Sequence, residues 1–480
     1  MSSRAPSSSC AWSRWAGRFE PRRRSPPPSD PRGRSFGFVS GLPNVLLNET
    51  LSAWLSDVGF TPSSIGLLGA LTLPYGLKLL WAPLLDRYHA PGFGWLGLRR
   101  GWIALFSLVL AASFVVLALI GPDSASAPVL PAAVAGLAIA IFSASLDAGV
   151  DAHRTDGASG GEEGSAASAF VLGYRVAFVS IGAAAFMLHG RIALLFGPEG
   201  DAAARALAWR WAIGVGGLAM ILGCVAALLA PEPPRRRAPE TLGAAIVDPF
   251  RSFVHSLGGR VAVVFFVALL FRLPDLLGNR MTIPFLRQEI GFEIEEIGTI
   301  RQALGFAMTI VGAVIGGLCV KRWGLFRALV VFGVLQVASN AGYIVLAASG
   351  KSLPVFGGVV VVENLCNGLV SAAFVAYFMT LCEPRFAAAQ YAILSGLMYL
   401  AGAIVSSTSG FLVEAIGYQG FFLLSIAVGV PPLLALPWAM PAPRADDGPR
   451  CAGCGHLLVG LPANAACPEC GGAERLAPAR

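Results

Sequence analysis

The sequence predicts an all-α membrane protein whose chain crosses a bilayer twelve times, in two halves of six helices. Three observations lead to this class. Only 13% of the 480 residues are charged and 55% are hydrophobic, whereas soluble proteins carry about 25% charged residues. Apolar segments that are long enough to cross a hydrocarbon core of about 30 Å recur along most of the chain. The loops between these segments alternate between many and few basic residues, which is typical of membrane proteins.

The chain begins with a polar tail and continues as a series of apolar segments. Residues 1–35 are rich in Ser, Pro and Arg, and they lack the apolar core of a signal peptide, so we expect a disordered basic tail. Polar residues interrupt the first, fifth and seventh apolar segments. The predicted spans are 36–58, 62–84, 101–121, 129–152, 165–190, 207–230, 260–286, 295–320, 325–348, 353–382, 386–414 and 418–440.

The distribution of Lys and Arg predicts the orientation of the chain. If both termini lie in the cytoplasm, the tails and inner loops hold most of the basic residues and the outer loops keep only a few. This is the positive-inside pattern, so we expect a multi-pass protein with both termini in the cytoplasm. Because the Arg residues lie in separate loops and tails, they form no continuous nucleic-acid-binding stripe, and we expect no nucleic-acid partner.

A polar linker at 231–259 divides the spans into an N-terminal half, 36–230, and a C-terminal half, 260–440. Within the linker, Phe250, Phe253 and Leu257 would share one side of a short helix at 247–257, which favours a position on the membrane surface.

Both halves carry a basic cluster at the equivalent loop. Basic clusters in equivalent loops suggest an internal repeat, and six plus six helices with such a repeat is the major facilitator architecture. The first cluster, Asp86 and Arg87 with Arg99 and Arg100, follows the second span, and the other, Lys321 and Arg322 with Arg327, follows the eighth.

Charged side chains lie within or beside the predicted spans of both halves. Such groups are costly in a bilayer, face the interior of the helix bundle and pair with one another. A set of mixed charges suits a polar or anionic substrate, and a carboxylate among them can carry a proton. The alternative is that individual pairs only hold helices together. The set comprises Glu49, Lys78, Asp147, Asp151, Arg175, Arg272, Asp275, Arg280, Arg301 and Glu363.

Asp147 and Asp151 are four residues apart, so they lie on one face of the fourth predicted span. Asp151 is beside Arg154 near the cytoplasmic end, and we expect it to act as a gate or a structural lock. Asp147 is one turn deeper and is the better candidate for binding a proton or the substrate. We assign the proton and substrate pathway to Asp147, Lys78, Arg175, Asp275, Arg272 and Glu363, and gating or structural charge to Asp86, Arg87, Asp151, Arg154, Lys321 and Arg322.

Two Pro residues predict breaks in membrane helices next to charged side chains. Lys78 lies four residues after Pro74, and Pro can free backbone carbonyls for a site. Lys78 could instead extend towards the cytoplasmic interface. Arg272 and Asp275 can pair on one helix face, and Pro274 between them predicts a local break of the kind found at transporter sites.

The C-terminal tail carries two Cys-x2-Cys pairs. Four thiolates in two close pairs fit a tetrahedral zinc site, so we predict a small zinc-ribbon-like knuckle at 451–472, after a linker at 441–450. Two disulfides or free thiols are the alternative, and a reducing cytoplasm disfavours disulfides. The knuckle would recruit an unknown cytoplasmic partner. The predicted ligands of this structural zinc are Cys451, Cys454, Cys467 and Cys470.

Motifs in both halves resemble those of the AmpG muropeptide permease family. Because they fall in order along about residues 36–440, the resemblance is more specific than a hydropathy profile. The matching stretches are 38–43, 73–87, 99–102, 151–155, 172–175, 325–329, 336–343, 363–366 and 379–382.

The resemblance implies a proton-driven major facilitator importer in the bacterial inner membrane, which carries anhydro-muropeptides from cell-wall turnover into the cytoplasm. Its substrate would be a sugar-peptide, and the chain shows no P-loop or soluble-enzyme signature. The charged family positions that match are Lys78, Asp86, Arg87, Asp147, Asp151, Arg175, Asp275 and Glu363.

The chain departs from the family pattern at two places. Family members commonly have Gln where this chain has Leu146. Before Asp275, this chain has Arg272 and Pro274, where we expect family members to have residues that disturb a membrane helix less. Two alternatives therefore stay open: a transporter of another anionic solute, such as a coenzyme A ester or a drug, and a non-transporting membrane sensor or scaffold.

Overall fold

The computed structural model describes residues 31–157, 163–198, 201–233, 247–383, 387–440, 450–451 and 475–476. Almost all of these residues lie in helices or in the short loops between them, which confirms the all-α class. Two strands, β1 (Arg450–Cys451) and β2 (Arg475–Leu476), form an antiparallel pair.

The helices of the N-terminal half are α1 (Pro31–Val45), α2 (Leu51–Asp57), α3 (Pro62–Leu67), α4 (Leu73–Leu77), α5 (Ala82–Arg87), α6 (Leu98–Ile120), α7 (Leu130–Gly157), α8 (Glu163–Phe196), α9 (Ala202–Leu218) and α10 (Ile221–Leu229). Helices α2 to α5 are short because π and 3-10 turns interrupt the first two predicted spans, whereas α6 to α9 are long.

The C-terminal half begins with a short helix and ends with the longest one. The helices are α11 (Asp248–Leu257), α12 (Val261–Leu270), α13 (Leu273–Pro284), α14 (Ile294–Ile300), α15 (Phe306–Trp323), α16 (Leu325–Ser339), α17 (Ala341–Ser349), α18 (Leu353–Leu381) and α19 (Ala387–Ala439).

The predicted breaks next to Pro74 and Pro274 are present. A 3-10 turn at Lys78–Leu80 follows α4, and Arg272 has non-helical angles between α12 and α13. Pro cannot donate the helical hydrogen bond of its own turn, so the chain begins a new helix there. The break places the Lys78 and Arg272 side chains at helix ends, where their directions differ from those of a continuous helix.

Among the described residues, nine helical stretches are long and apolar enough to cross a membrane. Two are longer than one crossing: Asp248–Ile290 has 43 residues and Gln390–Ala439 has 50. Gly417, at φ 70° and ψ 168°, breaks the second of these, and a residue without a Cβ tolerates such angles most easily. The predicted spans 36–58 and 62–84 are not among the nine, so the number twelve stays a prediction.

The predicted boundary between the N-terminal tail and the first helix differs from the structure. Helix α1 begins at Pro31, so residues 31–35 belong to a helix and not to the predicted tail, while residues 1–30 lie outside the described part. Hydropathy shows where a helix meets lipid, whereas the helix can extend further through polar residues.

The predicted surface helix is α11, whose Phe253 is buried against the C-terminal half while Phe250 is 41% exposed.

The two halves pack against each other through small residues of α3, of the 3-10 turn Leu68–Thr72 that follows it, and of α19. A Cβ added at Gly66 would lie 2.7 Å from the backbone nitrogen of Gly410, and one added at Gly69 would lie 2.7 Å from that of Ser407. Backbones can approach this closely only where no side chain separates them.

The bundle has two ends, which we name after one residue at each. The Arg99 end carries Arg99 at the start of α6 with its partner Asp156 at the end of α7. The Asp57 end carries Asp57 at the end of α2, together with Ser63, whose backbone N–H donates to Glu414 Oε1 at 2.9 Å. The charged side chains of the bundle lie between these ends.

Candidate functional site

The Asp147 cluster lies towards the Arg99 end and comprises Ser40, Lys78, Asp147, Asp151 and Arg154. Ser40 Oγ donates a hydrogen bond to Asp147 Oδ1. Lys78 Nζ is 3.5 Å from Asp151 Oδ2 and also interacts electrostatically with Asp147. Arg154 Nη2 is 3.2 Å from Asp151 Oδ1, so the predicted pair of these two residues is present. Asp151 is thus bound by two cations, whereas the hydrogen bond to Asp147 comes from a neutral hydroxyl.

Side chains of both halves surround this cluster. Tyr75 Oη donates to Ser143 Oγ at 2.8 Å, which fastens α4 to α7. Tyr399 of α19 is 49% exposed and close enough to interact electrostatically with Lys78. The cluster therefore lies where the two halves meet.

Leu146, the departure from the family pattern, does not face the open side of this cluster. Its side chain is 0% exposed and is part of the hydrophobic core. The neighbouring Asp147 points away from that core and is partly exposed. The substitution therefore changes packing inside the N-terminal half and gives no direct contact for a substrate.

The Glu363 cluster lies nearer to mid-height and comprises Glu49, Arg280, Arg301, Tyr343 and Glu363. Tyr343 Oη donates a hydrogen bond to Glu363 Oε2. Arg301 Nη2 is 3.4 Å from Glu49 Oε2, and Arg301 also interacts electrostatically with Glu363. Glu49 belongs to the N-terminal half and Arg301 to the C-terminal half, so this ion pair joins the two.

Arg280 is the least satisfied member of this cluster. Its Nε and Nη2 atoms are buried and have no hydrogen-bond partner in the part of the chain that the structure describes, and Glu49 is the charge that acts on it. Leaving such donors unpaired is costly, so unsatisfied groups of this kind call for an explanation. One carboxylate, Glu49, therefore serves two buried cations.

Both residues of the ion pair that joins the halves lie in π-helical turns. Glu49 is in the turn Leu46–Thr50 and Arg301 is in the turn Arg301–Gly305. A π turn inserts an extra residue into a helix, changes the direction of the side chains that follow and is frequent at functional sites. Sequence reasoning noted both charges but assigned them no role, because nothing local indicates either π turn.

A small cavity adjoins the Glu363 cluster and is lined by both halves. Arg175 and Phe178 of α8 face Asn364 of α18 and Gln302 across a volume of about 80 Å³. Ligand pockets usually have about 300–1,000 Å³, so this space suits water or a small group rather than a sugar-peptide. Arg175 thus lines a space between the two halves, and its place in the substrate pathway stays a prediction.

Arg272 and Asp275 are paired as the sequence predicts. Arg272 Nη2 is 3.5 Å from Asp275 Oδ2, and Arg272 Nη1 donates to Ser371 Oγ at 3.0 Å. Asp275 is 5% exposed, and no described residue meets hydrogen-bond geometry with either of its carboxylate oxygens. A buried carboxylate whose ion-pair partner approaches only to 3.5 Å is a candidate for the predicted proton and substrate pathway.

Of the predicted gating charges at the Arg99 end, Asp86 joins a network around Arg99, whereas Arg87 contacts an aromatic ring. Arg99 binds Asp86, and its Nε is 2.8 Å from Asp156 Oδ2. Arg87, which precedes Tyr88, lies 5.9 Å from the centre of that ring. In the described part of the chain, the equivalent Lys321 and Arg322 are exposed at the end of α15 and form no ion pair, so the repeat in sequence is not matched by a repeated network.

Asp57, Trp209, Arg287 and Gln288 join the two halves at the Asp57 end, and we call this group the Asp57 clamp. The sequence analysis did not predict it. The Asp57 side chain is fully buried, and Arg287 Nη2 of the C-terminal half is 2.9 Å from its Oδ1. Trp209 Nε1 donates to Asp57 Oδ2 at 3.0 Å. Gln288 Nε2 donates to the carbonyls of Ser56 and Phe60 at 3.0 and 2.9 Å. Asp57 and Arg287 are 230 positions apart, so spacing along the chain could not indicate this contact.

The predicted zinc site lies almost entirely outside the described residues. Only the backbone of Cys451, in β1, is described, and Cys454, Cys467 and Cys470 are not. Within the described ranges, no three His, Cys, Asp or Glu side chains are grouped as for a metal ion. The zinc knuckle therefore stays a prediction.

Known proteins resemble this chain over most of its length. Residues 35–406 match the Major Facilitator Superfamily. The anhydromuropeptide permease of Escherichia coli strain K12 is 37% identical over 403 residues, which cover 84% of this chain and 77% of that protein. A putative transporter AmpG 4 of Rickettsia felis is 28% identical over 410 residues, which cover 84% of this chain and 94% of that protein.

Solved transporter structures share the fold. A bacterial homologue of the human lysosomal transporter Spinster, inward-facing and occupied, has a TM-score of 0.65 at 16% identity and covers 84% of this chain and 95% of that one. A D-xylose–proton symporter has a TM-score of 0.62 at 14% identity and covers 85% of this chain and 97% of that one. Identities this low support the fold alone.

Proposed function

This chain belongs to the AmpG permease family of the major facilitator superfamily, and from that membership we propose that it imports anhydro-muropeptides together with protons. It is a multi-pass membrane protein and a secondary transporter of small molecules, not an enzyme. The cargo is proposed from the name of the relative that is 37% identical. The observation that carries the proposal is that buried charges of both halves meet inside the bundle, as at Glu49 and Arg301.

The chain has twelve membrane spans and lies in a bacterial inner membrane with both termini in the cytoplasm. The basic loops support this orientation, since Arg99 and its neighbours mark the cytoplasmic side. The Asp57 end then faces outwards. Because polar contacts such as Asp57–Arg287 close that end, the conformation is one from which substrate leaves towards the cytoplasm.

The Asp147 cluster couples protons to substrate through its net charge. Asp147 and Asp151 carry two negative charges and Lys78 and Arg154 two positive charges, so the cluster is neutral when Asp147 is ionised. A proton on Asp147 makes the cluster positive by one charge. A positive cluster attracts an anionic substrate, and loss of the proton on the cytoplasmic side weakens that attraction. Asp147 is suited to this role because Asp151 is already bound by two cations.

The remaining charges have supporting roles. Arg272 and Asp275 form an ion pair in the C-terminal half, as Lys78 and Asp151 do in the N-terminal half. Glu363 partly neutralises the positive charge of Arg301. Lys78 and Arg175 face the bundle interior and contact the anionic part of the cargo. The gating and structural charges are Asp86, Arg87, Asp151, Arg154, Lys321 and Arg322.

The C-terminal tail binds one structural zinc through Cys451, Cys454, Cys467 and Cys470 and recruits a cytoplasmic partner. Support comes from the sequence, in which two Cys-x2-Cys pairs suit tetrahedral zinc. The four cysteines satisfy the metal by themselves, so no membrane residue is required as a ligand.

Uptake by proteoliposomes tests the function. Purified protein should accumulate labelled anhydro-muropeptide when the lumen is alkaline relative to the outside, and accumulation should stop when an ionophore removes the pH gradient. No uptake under either condition would exclude muropeptide import. Uptake that a coenzyme A ester or a drug blocks, without uptake of muropeptide, would assign a different anionic cargo. If no solute moves, the sensor or scaffold alternative is favoured.

A further inference from the structure

A second, larger cavity lies at the Asp57 end, between the two halves. It has a volume of about 720 Å³, within the usual range of small-ligand pockets. His189, Arg191 and Arg205 line it from the N-terminal half, and Arg287, Glu293 and Glu295 line it from the C-terminal half. We call it the Asp57-end cavity. It is separate from the Asp147 and Glu363 clusters, whose residues do not line it.

Several polar groups of this cavity have no hydrogen-bond partner among the described residues. Arg205 Nε is one such buried atom. His189 is only 4% exposed and stacks on Trp209, yet neither of its ring nitrogens forms a hydrogen bond with a described residue. Its Nε2 is 3.5 Å from Asp57 Oδ2, but without hydrogen-bond geometry. Buried polar atoms without partners cost free energy, and a ligand that supplies the partners recovers it.

The free charges of the cavity have both signs. Among the described residues, Arg191 and Arg205 form no ion pair, and neither does Glu295 on the opposite wall. Arg287, by contrast, is already bound to Asp57 and Glu293. Asp201, which also lines the cavity, accepts a hydrogen bond from the backbone N–H of Ala203 but has no ion pair among the described residues. The charges without an ion pair are therefore two guanidinium groups and one carboxylate on the N-terminal side, and the carboxylate of Glu295 on the other. This pattern fits a molecule with carboxylates and an ammonium group, such as a short peptide.

We propose that the Asp57-end cavity is where the substrate first binds, and that it holds the peptide part of the cargo. Carboxylates of the peptide contact Arg191 and Arg205, and its ammonium group contacts Glu295. The proposal rests on the proposed import of a sugar-peptide. Bidentate guanidinium–carboxylate contacts supply both strength and orientation.

The position of the cavity links binding to opening of the transporter. Asp57 and Arg287, the central pair of the Asp57 clamp, both line it. A peptide carboxylate next to Arg287 competes with Asp57 for the guanidinium group. Bound peptide thus weakens the contact that closes this end of the bundle, and the substrate can move towards the interior.

The kinetic test compares Arg191→Gln and Arg205→Gln with wild type in uptake of anhydro-muropeptide. Each substitution should raise KM about tenfold with little change in kcat, because one charge-assisted contact in binding is lost. Arg191→Lys and Arg205→Lys should restore part of the affinity. The control is Arg210→Gln, which removes the same charge from a neighbouring residue of α9 that pairs with Asp123 outside the cavity. An unchanged KM in both Gln variants would overturn the proposal.

Direct binding separates failure of this proposal from failure of the proposed function. The tripeptide Ala-Glu-Lys is titrated calorimetrically into the full-length wild-type protein in nanodiscs and into the same Gln variants. We expect the wild type to bind it and each variant to bind it about tenfold more weakly. If the wild type takes up no muropeptide but binds the tripeptide at Arg191 and Arg205, only the transport assignment falls. If the wild type does not bind the tripeptide, the cavity proposal falls.

Discussion

Asp147 and Asp151 are one helical turn apart on α7, yet their surroundings are different. Asp151 is held by Lys78 and Arg154, and each contact is 3.5 Å or shorter. Asp147 accepts a hydrogen bond from the hydroxyl of Ser40. Lys78 acts electrostatically on both carboxylates, but only Asp151 also has Arg154 within ion-pair distance. The two residues therefore have different roles in the proposed mechanism.

Asp147→Asn should abolish proton-driven uptake and leave the protein folded and inserted. The amide resembles the protonated carboxyl group but cannot release a proton, so the cluster keeps its extra positive charge and retains the substrate. Uptake in proteoliposomes under a pH gradient measures the first effect and calorimetric binding of muropeptide the second. Asp123→Asn is the control, since that side chain is 61% exposed. Full uptake by Asp147→Asn would remove Asp147 from the coupling role.

Glu49→Gln should destabilise the protein more than Arg301→Gln. Removing Glu49 leaves Arg280 without a charge partner, whereas removing Arg301 leaves Glu49 with Arg280 and Glu363 with the hydroxyl of Tyr343. Loss of one partner of a buried pair costs roughly 3–5 kcal/mol. The midpoint of thermal unfolding in one detergent measures the order of the two variants. The opposite order would show that Glu49 does not serve both cations.

At the scale of elements, small residues set how closely the halves approach at the Asp57 end. A Cβ added at Gly410 of α19 would lie 1.8 Å from the carbonyl oxygen of Pro62 at the start of α3. Among the described residues, no heavy atom lies within 4 Å of a Cβ added at Gly317 of α15. The two positions therefore provide a matched pair for testing the contact between halves.

Gly410→Ala should hold α3 and α19 apart and reduce the population of the conformation that is closed at the Asp57 end. Gly317→Ala should be neutral or slightly stabilising, because Ala is favoured over Gly within a helix by about 1 kcal/mol. Spin labels at Ser63 and Glu414, which are in contact in this structure, report the separation by pulsed electron resonance. A distance distribution in Gly410→Ala identical to that in Gly317→Ala would contradict the role of this glycine.

At the scale of the whole molecule, the membrane-embedded bundle and the cysteine-rich tail are expected to work independently. The proposed transport residues all lie within 36–440, whereas the proposed zinc ligands begin at Cys451. The tail therefore contributes no charge to the pathway in this proposal.

Removing zinc should leave uptake unchanged within about twofold while it unfolds the tail, because metal binding supplies the folding free energy of such small sites. Elemental analysis should find one zinc per wild-type chain, and none in a Cys451→Ser, Cys454→Ser variant. Uptake by the same preparations provides the second readout. A large loss of uptake on chelation would show that the tail acts on the transporter.

The sequence alone predicted the class, the family and the local pairs. Low charge and recurring apolar segments require helices in lipid, and residues three apart on a helix face each other, so Asp151–Arg154 and Arg272–Asp275 were predictable. Breaks at Pro74 and Pro274 followed from the missing amide hydrogen of Pro. These features depend on the covalent chain and its nearest neighbours.

Only the tertiary structure decided which distant charges meet. Glu49 and Arg301 are 252 positions apart, and Asp57 and Arg287 are 230 apart. Their meeting depends on π turns that redirect side chains and on small residues that let the halves approach, neither of which a helical period specifies. The Asp57-end cavity belongs to the same level, since its walls come from both halves. The helical repeat determines which residues share a face of one helix, whereas the packing of the helices determines which residues of other helices contact that face.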